Sequence, residues 1–468
     1  MDRRGFLKGA AVAAMGSGIP FGVRAETPAV RNGQVTYSRT FPVKIETDVM
    51  VCGGGPAGVA AAVAARAAGA RVFLAEAFTC FGGMGTAARV PVYMQFGDGI
   101  RPLAAGFGTR FRERLLKAGA ISSNYGSFDF EAVKREYDAV MVESGADFLF
   151  HTKVIDVIRE GDAIQYAICA SQSGIWAVKA KVYVDATGNG DVAVQSGVSF
   201  EKGDSMGKMM PASLLSSWIG IDWDQWRKGR LSFNAEIDRA LVDGVFKVPD
   251  RHMTGIFKSA NGLGNANIGH VYDLDGTDER SLTKGYLRGR ESMQEYQRYF
   301  SEYLKHGLEN IRLIETGALM GVRETRRITG DYVMTLDDYV KRAVFPDEIG
   351  RYAYPIDIHP LTADKAAYAQ HREEFDRLYK YQKGESYGIP YRILCAKDVK
   401  NLLVAGRCVS TDQKVQASIR VMPACYIMGQ AAGFAAAMAA DGTGDIRRVR
   451  VPELQKKLKD FGAYLPNA

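Results

Sequence analysis

Residues 49–76, VMVCGGGPAGVAAAVAARAAGARVFLAE, run through an apolar strand, the turn Gly53-x-Gly55-x-x-Gly58, an alanine-rich helix, a second apolar strand and the acid Glu76. That order is a βαβ unit of the dinucleotide-binding kind. Gly53 permits the tight turn, Gly55 lets a pyrophosphate approach the backbone, and Gly58 lets the helix lie close to the sheet. Pro56 falls in the first helical turn, where its missing N–H costs nothing, and Gly69 stands where a C-cap is expected. The unpaired N–H groups at the helix start favour phosphate, and Glu76 is placed to accept from ribose hydroxyls.

Working outward, residues 146–184 read as three strands, ADFLFHTKVIDVI, AIQYAICAS and GIWAVKAKVYV, separated by turns at 160–162 and 172–174. They run into Asp185-Ala186-Thr187-Gly188-Asn189-Gly190-Asp191. Gly188-x-Gly190-x-x-Ala193 is open to a second reading as an NAD(P)H turn. Against it, the following helix ends near Ser196-Gly197 and no second-strand acid follows at the right distance. In the C-terminal third, a buried strand at 401–405 leads to Gly406-Arg407, and Gln416 to Pro423 precedes a helix expected over 424–440. The N-terminus of that helix would favour an anionic partner.

These segments resemble one family. GGGPAG at 53, FGGMGTAA at 81, VDATGNGD at 184, YDLDGTD at 272, GVRETRRITGDY at 321, IDIHP at 356 and the stretch 401–433 are similar to bacterial FAD-dependent oxidoreductases related to the flavoprotein subunits of fumarate reductase and succinate dehydrogenase. The resemblance implies an α/β fold: an FAD-binding, Rossmann-like domain of the glutathione-reductase type with a β-meander, over 45–200 and 390–440. An inserted α+β substrate domain at 201–389 and a helical tail at 441–468 complete it. Residues that the likeness assigns to FAD are Gly53, Gly55, Ala57, Gly58, Glu76, Gly82, Gly83, Met84, Val154, Ala186, Thr187, Gly188, Asp191, Gly406, Arg420 and Met422. Val154 would present backbone to the adenine. Fumarate-reductase-type subunits often carry a histidine soon after the GG segment for covalent attachment; this chain has Gly85-Thr86-Ala87-Ala88, which implies non-covalent FAD. The arginine and histidine pattern of dicarboxylate binding is not recognisable.

At the N-terminus, Asp2-Arg3-Arg4-Gly5-Phe6-Leu7-Lys8 precedes a weakly apolar run and Val23-Arg24-Ala25, which reads as a twin-arginine signal peptide over 1–25. The expectation is a periplasmic or otherwise exported protein that meets the twin-arginine translocase and has no stable membrane span. The 468 residues are 47% hydrophobic with net charge +7, and four basic residues and one acid in 1–25 leave +4 beyond it, too balanced to imply nucleic acid. The six cysteines show no CxxC spacing, so neither a metal site nor a redox disulfide is expected, and buried free thiols are.

In the inserted region, the helix expected from Leu282 to Lys305 reads as a solvated, charge-laced face. Gly321 to Arg327 is dense in charge beside apolar Ala318-Leu319-Met320. Arg323, Glu324 and Arg326 read as an ion-pair network, with one member, Arg326, entering the cleft to bind an anion or polarise a carbonyl. Asp357 and His359 share a face of an extended segment, and His359 is the acid/base candidate, with a packed histidine as the competing reading. His270 is the second choice; His151, His252, His306 and His371 read as surface or core residues. The expected function is hydride transfer between FAD and a small organic substrate, a hydroxylated compound or an activated alkene, with electrons exchanged with a separate carrier. The alternatives are a flavin monooxygenase using NAD(P)H and oxygen, and a non-catalytic flavin-binding electron carrier.

Overall fold

The computed structural model describes residues 30–31, 34–35, 38–123, 126–378 and 380–468. The expected signal peptide, 1–25, lies outside the described residues. The chain divides into two units, 1–42 and 43–468. The first contains a short antiparallel pair, Val30–Arg31 with Gln34–Val35; all that follows concerns the second.

The elements that position the site are, in chain order, β1 (Val43–Cys52), α1 (Pro56–Ala67), β2 (Val72–Ala75), β3 (Asp147–Leu149), β4 (Lys153–Glu160), β5 (Ala163–Ser171) and β6 (Gly174–Asp185). After them come β7 (Ser216–Ile219), β8 (Met253–Lys258), β9 (Gly264–Ile268), α2 (Glu279–Arg298), β10 (Arg312–Thr316), β11 (Leu402–Val404), α3 (Met422–Asp441) and α4 (Val451–Asp460). β3, β2, β1 and β6 pair in parallel in that order, and β11 pairs in parallel with the end of β6. The strands are apolar on both faces because helices cover both: Val49, Met50, Val51, Cys52 and Leu74 are fully buried.

The register brings Cys52, Ala75, Asp185 and Val404 to one edge of this sheet. The carboxyl ends of parallel strands are where open α/β sheets bind ligands. The expected meander is present as β4, β5 and β6, antiparallel to one another. Its first segment differs from the sequence expectation, because 146–158 is two strands: β3 joins the parallel sheet, and a break at His151 (φ 49°) separates it from β4. The helix after Gly190 is as short as expected, Asp191–Gln195.

α1 and α3 make the closest helix contact. A Cβ built on Gly429 or Gly433 of α3 would lie 2.2 Å from the carbonyl oxygen of Ala57 or Ala61 of α1, so only glycine admits this approach. α3 is buried along nearly its whole length, and no single helix among the described residues is long and apolar enough to cross a membrane.

A second antiparallel sheet, β8-β9-β7-β10, carries a separate hydrophobic core with Trp218, Met293, Tyr296 and Phe300. Residues within 328–356 pack instead on the first core, so the expected span 201–389 contains material from both cores. α2 begins at Glu279, capped by Asp278, and passes into one wider turn at Tyr299–Leu304. All six cysteines are buried and free, as expected.

Candidate active site

A cavity of about 630 Å³ opens at the strand ends. Gly53, Gly55, Pro56 and Ala57 line it from the β1–α1 turn, Glu76 from β2, Val154 from β4, and Ala186, Thr187, Gly188 and Asp191 from the loop after β6. Gly83 and Met84 add a loop, and Gly406, Arg407, Arg420 and Met422 close it. Of the residues expected at FAD, only Gly58 and Gly82 do not line it. Gly58 serves the turn instead: its Cβ would meet the Gly53 carbonyl oxygen at 1.9 Å. Gly82, at φ 93°, packs on Tyr137 and Thr86.

The cavity fits a dinucleotide on its own geometry. Gly55 faces open space, so a side chain there would fill the cradle, and the N-termini of both α1 and α3 border it. Asp185 holds the next turn, its Oδ1 accepting from the Thr187 hydroxyl (2.7 Å) and Oδ2 from Ala193 N–H (2.9 Å); burial pushes its pKa up to about 6. Glu76 accepts from the N–H groups of Gly54 (2.6 Å) and Phe78 (2.8 Å), so it braces the turn as well as lining the cavity. Burial raises its pKa.

Arg407, which no sequence argument singled out, lies against Gly188 and donates to the Asn189 side-chain oxygen (2.8 Å). Its Nε is buried without a partner, and among the described residues no carboxylate pairs with it. A buried guanidinium in this position is a counter-charge for an anion in the cavity.

At the Arg420 end the cavity adjoins a polar cluster. Arg420 donates to the Asp357 carbonyl (2.7 Å) and carboxylate (3.2 Å). His359 Nε2 stands 3.5 Å from Asp357 Oδ1, and its Nδ1 is 2.8 Å from His270 Nε2. His270 Nδ1 faces the Asp250 carboxylate (3.2 Å) and the Tyr272 and Tyr368 hydroxyls (3.1 and 3.0 Å). His252 stacks on His270, ring centroids 4.0 Å apart. Asp357 keeps 34% of its side-chain surface accessible.

Burial lowers the pKa of all three histidines, with Arg323 adding to the effect, and leaves them neutral. Burial pushes Asp250 and Asp357 upward, but contacts with His270, the Tyr368 hydroxyl and the His252 N–H outweigh it at Asp250, and His359 with Arg420 and Arg323 outweighs it at Asp357, so both stay below the usual carboxylate range. Burial, with Arg420 nearby, brings Arg323 down to about 10.

The arginine segment divides differently from the expectation. Arg326 borders the cavity but is paired to Asp191 (2.7 Å) and lies over Phe200, so its charge is spent on holding the nucleotide loop. Arg327 pairs with Glu201 and Glu324. Arg323 is the member that reaches the histidine cluster, bonding the Pro211 carbonyl and the Ser213 hydroxyl, with His252 at 3.5 Å.

The sequence put Asp357 and His359 on one face and offered His270 only as a separate second choice; the structure brings the three together and adds His252, Asp250 and Tyr368, which sequence reasoning missed. A signal was present: Asp250-Arg251-His252 repeats the Asp-x-His spacing of Asp357-Ile358-His359. His151, at φ 49°, and His306 lie away from the cluster.

The chain has weak structural similarity to a geranylgeranyl bacteriochlorophyll reductase-like protein from Thermoplasma acidophilum (14% identity, 89% of this chain and 83% of that one, TM-score 0.45). It is similar at the same level to a flavin-dependent brominase (12%, 89% and 83%, 0.44) and to an anhydrotetracycline hydroxylase from Streptomyces rimosus (14%, 88% and 65%, 0.40). No curated protein sequence matches. The family described as FAD dependent oxidoreductase matches residues 48–458, and the chain, an FAD enzyme, belongs to it.

Proposed function

We propose that this enzyme moves a hydride between a small organic molecule, a hydroxylated compound or an activated alkene, and non-covalently held FAD, and that it works outside the cytoplasm with a separate electron carrier. FAD, when bound, supplies the two-electron acceptor or donor. Gly53, Gly55, Gly188, Arg407 and the starts of α1 and α3, which line the cavity, would hold its phosphates and flavin end.

The observation that carries the reading is the group Arg420–Asp357–His359, which joins the cavity wall at Arg420 to a neutral, buried imidazole. In the oxidative direction His359 takes the hydroxyl proton at Nε2, and the Asp357 carboxylate stabilises the resulting imidazolium. Arg323 and Arg420 orient the substrate oxygen and keep the cluster positive toward developing alkoxide charge. Arg326 holds Asp191 and the loop that would support the cofactor.

The test is anaerobic mixing of the flavin-loaded enzyme with sugars, polyols and hydroxy acids while following flavin absorbance. Bleaching by one class, lost in His359→Gln with flavin still bound, is the expected result. Silence across the panel, with reoxidation of dithionite-reduced enzyme by enoates, assigns the reductive direction. Silence in both refutes hydride exchange with these classes.

A further inference from the structure

We propose that Asp250, His270 and His359 form a relay that fixes the tautomer of His359, with His270 and Asp250 as positioning residues; this rests on His359 being the base. Asp250 is acceptor-only, and it receives the backbone N–H groups of His252 (3.0 Å) and His270 (2.6 Å) and the Tyr368 hydroxyl (2.6 Å). The Tyr272 hydroxyl also donates to it (3.0 Å). With both tyrosine protons directed at the carboxylate, His270 Nδ1 is surrounded by acceptor oxygens and carries the proton.

A neutral His270 then presents a lone pair at Nε2. His359 Nδ1, 2.8 Å away, must donate to it, because two lone pairs at that distance repel. His359 Nε2 is therefore the unprotonated nitrogen, beside Asp357, and a proton arriving there becomes an ion pair with that carboxylate.

The remaining charged neighbours agree with a neutral resting chain. Arg323 stands toward His252, Arg420 toward Asp357, and the Tyr354 hydroxyl toward Asp357 (3.4 Å). The nitrogens of His252, His270 and His359 lie within 4.8 Å of one another, close enough for a cation. The His252 ring, however, lies nearly parallel to His270 (19°), so a cation in the plane of one ring is out of the plane of the other.

The probe is ring-15N histidine in the flavin-loaded protein, read by two-bond 15N–1H correlations, with His359 assigned by loss in His359→Gln. Wild type is expected to show His359 protonated at Nδ1. Asp250→Leu removes the carboxylate acceptor, frees the tyrosine hydroxyls to donate to His270 Nδ1, reverses both tautomers and puts the His359 proton on Nε2. Wrong-tautomer substitutions of this kind cost on the order of 10²- to 10⁴-fold in kcat, with KM little changed.

An Nε2-protonated His359 in wild type, or no reversal in a folded Asp250→Leu, overturns the relay. So does equimolar Zn²⁺ moving all three histidine signals together. Should Asp250→Leu not fold, the wild-type pattern still decides, and His270→Phe, lacking the acceptor, should release His359 to mixed tautomers. The reading needs no substrate, so its failure is separate from a silent substrate panel.

Discussion

Gly433→Ala sets two effects of opposite sign against each other. Replacing a helical glycine by alanine favours the helix by up to about 1 kcal/mol. Against this, the new Cβ would stand 2.2 Å from the Ala61 carbonyl oxygen, a backbone atom that no rotamer change can move. That is about 1 Å short of contact, and overpacking of this kind costs about 1–3 kcal/mol, occasionally more. The clash wins, and a net loss of about 1–2 kcal/mol follows. For a chain of this length that lowers Tm by a few degrees.

Gly429→Ala meets Ala57 at the same distance, and Ala57 lines the cavity while Ala61 does not. Both variants should lower the thermal midpoint of the apoprotein. Only Gly429→Ala should also weaken FAD, by roughly tenfold, equivalent to about 1.4 kcal/mol. Differential scanning fluorimetry and a flavin fluorescence titration read the two quantities separately. A Gly433→Ala protein with a raised Tm would mean that α1 and α3 are not held as close as described. Equal FAD losses in both variants would remove the link between Ala57 and the cofactor.

Further outcomes follow from the same site. Glu76→Gln must turn an amide N–H toward the backbone N–H of Gly54 or Phe78, at a cost of about 1–3 kcal/mol; a titration should show FAD weakened on the order of 10- to 100-fold. Arg407→Met removes the buried counter-charge, worth about 1.5–3 kcal/mol, and should weaken FAD more than it weakens adenosine alone, measured by competition. The three histidines have folded pKa values below their unfolded ones, so their contribution to stability is complete above about pH 6.5 and is lost as pH falls through the depressed values. Each costs up to about 1.4 kcal/mol per pH unit there, and Asp185, raised to about 6, has the opposite sign and is lost as pH rises through that value. Urea denaturation near pH 7.5 and pH 5.5 should show a drop that shrinks in His252→Phe.

The cofactor half of the molecule was readable because its chemistry is local. Turn, helix start and strand end fall within a few residues of Gly53, and the same holds at Ala186–Asp191, so spacing in the sequence carries the geometry. The break between β3 and β4 was not readable, since 146–158 is continuously strand-like and only the sheet partner of each half separates them. Arg326 borders the cavity as the sequence suggested, but its partner was not readable, since Asp191, which pairs with it, lies 135 positions away. The histidine cluster joins β8, β9 and the 354–360 segment, and His252 had no neighbour in sequence to mark it except the repeated Asp-x-His spacing. Arg407 looked like part of a turn because its missing partner becomes visible only when the fold buries it.

The most direct test of the central claim is a crystal structure of the chain with FAD. The adenosine is expected beside Glu76 and Val154, the diphosphate at the α1 N-terminus and Arg407, and the flavin ring at Arg420 and Met422, facing Asp357 and His359. A flavin ring at the Phe78 end, or FAD outside this cavity, would contradict it.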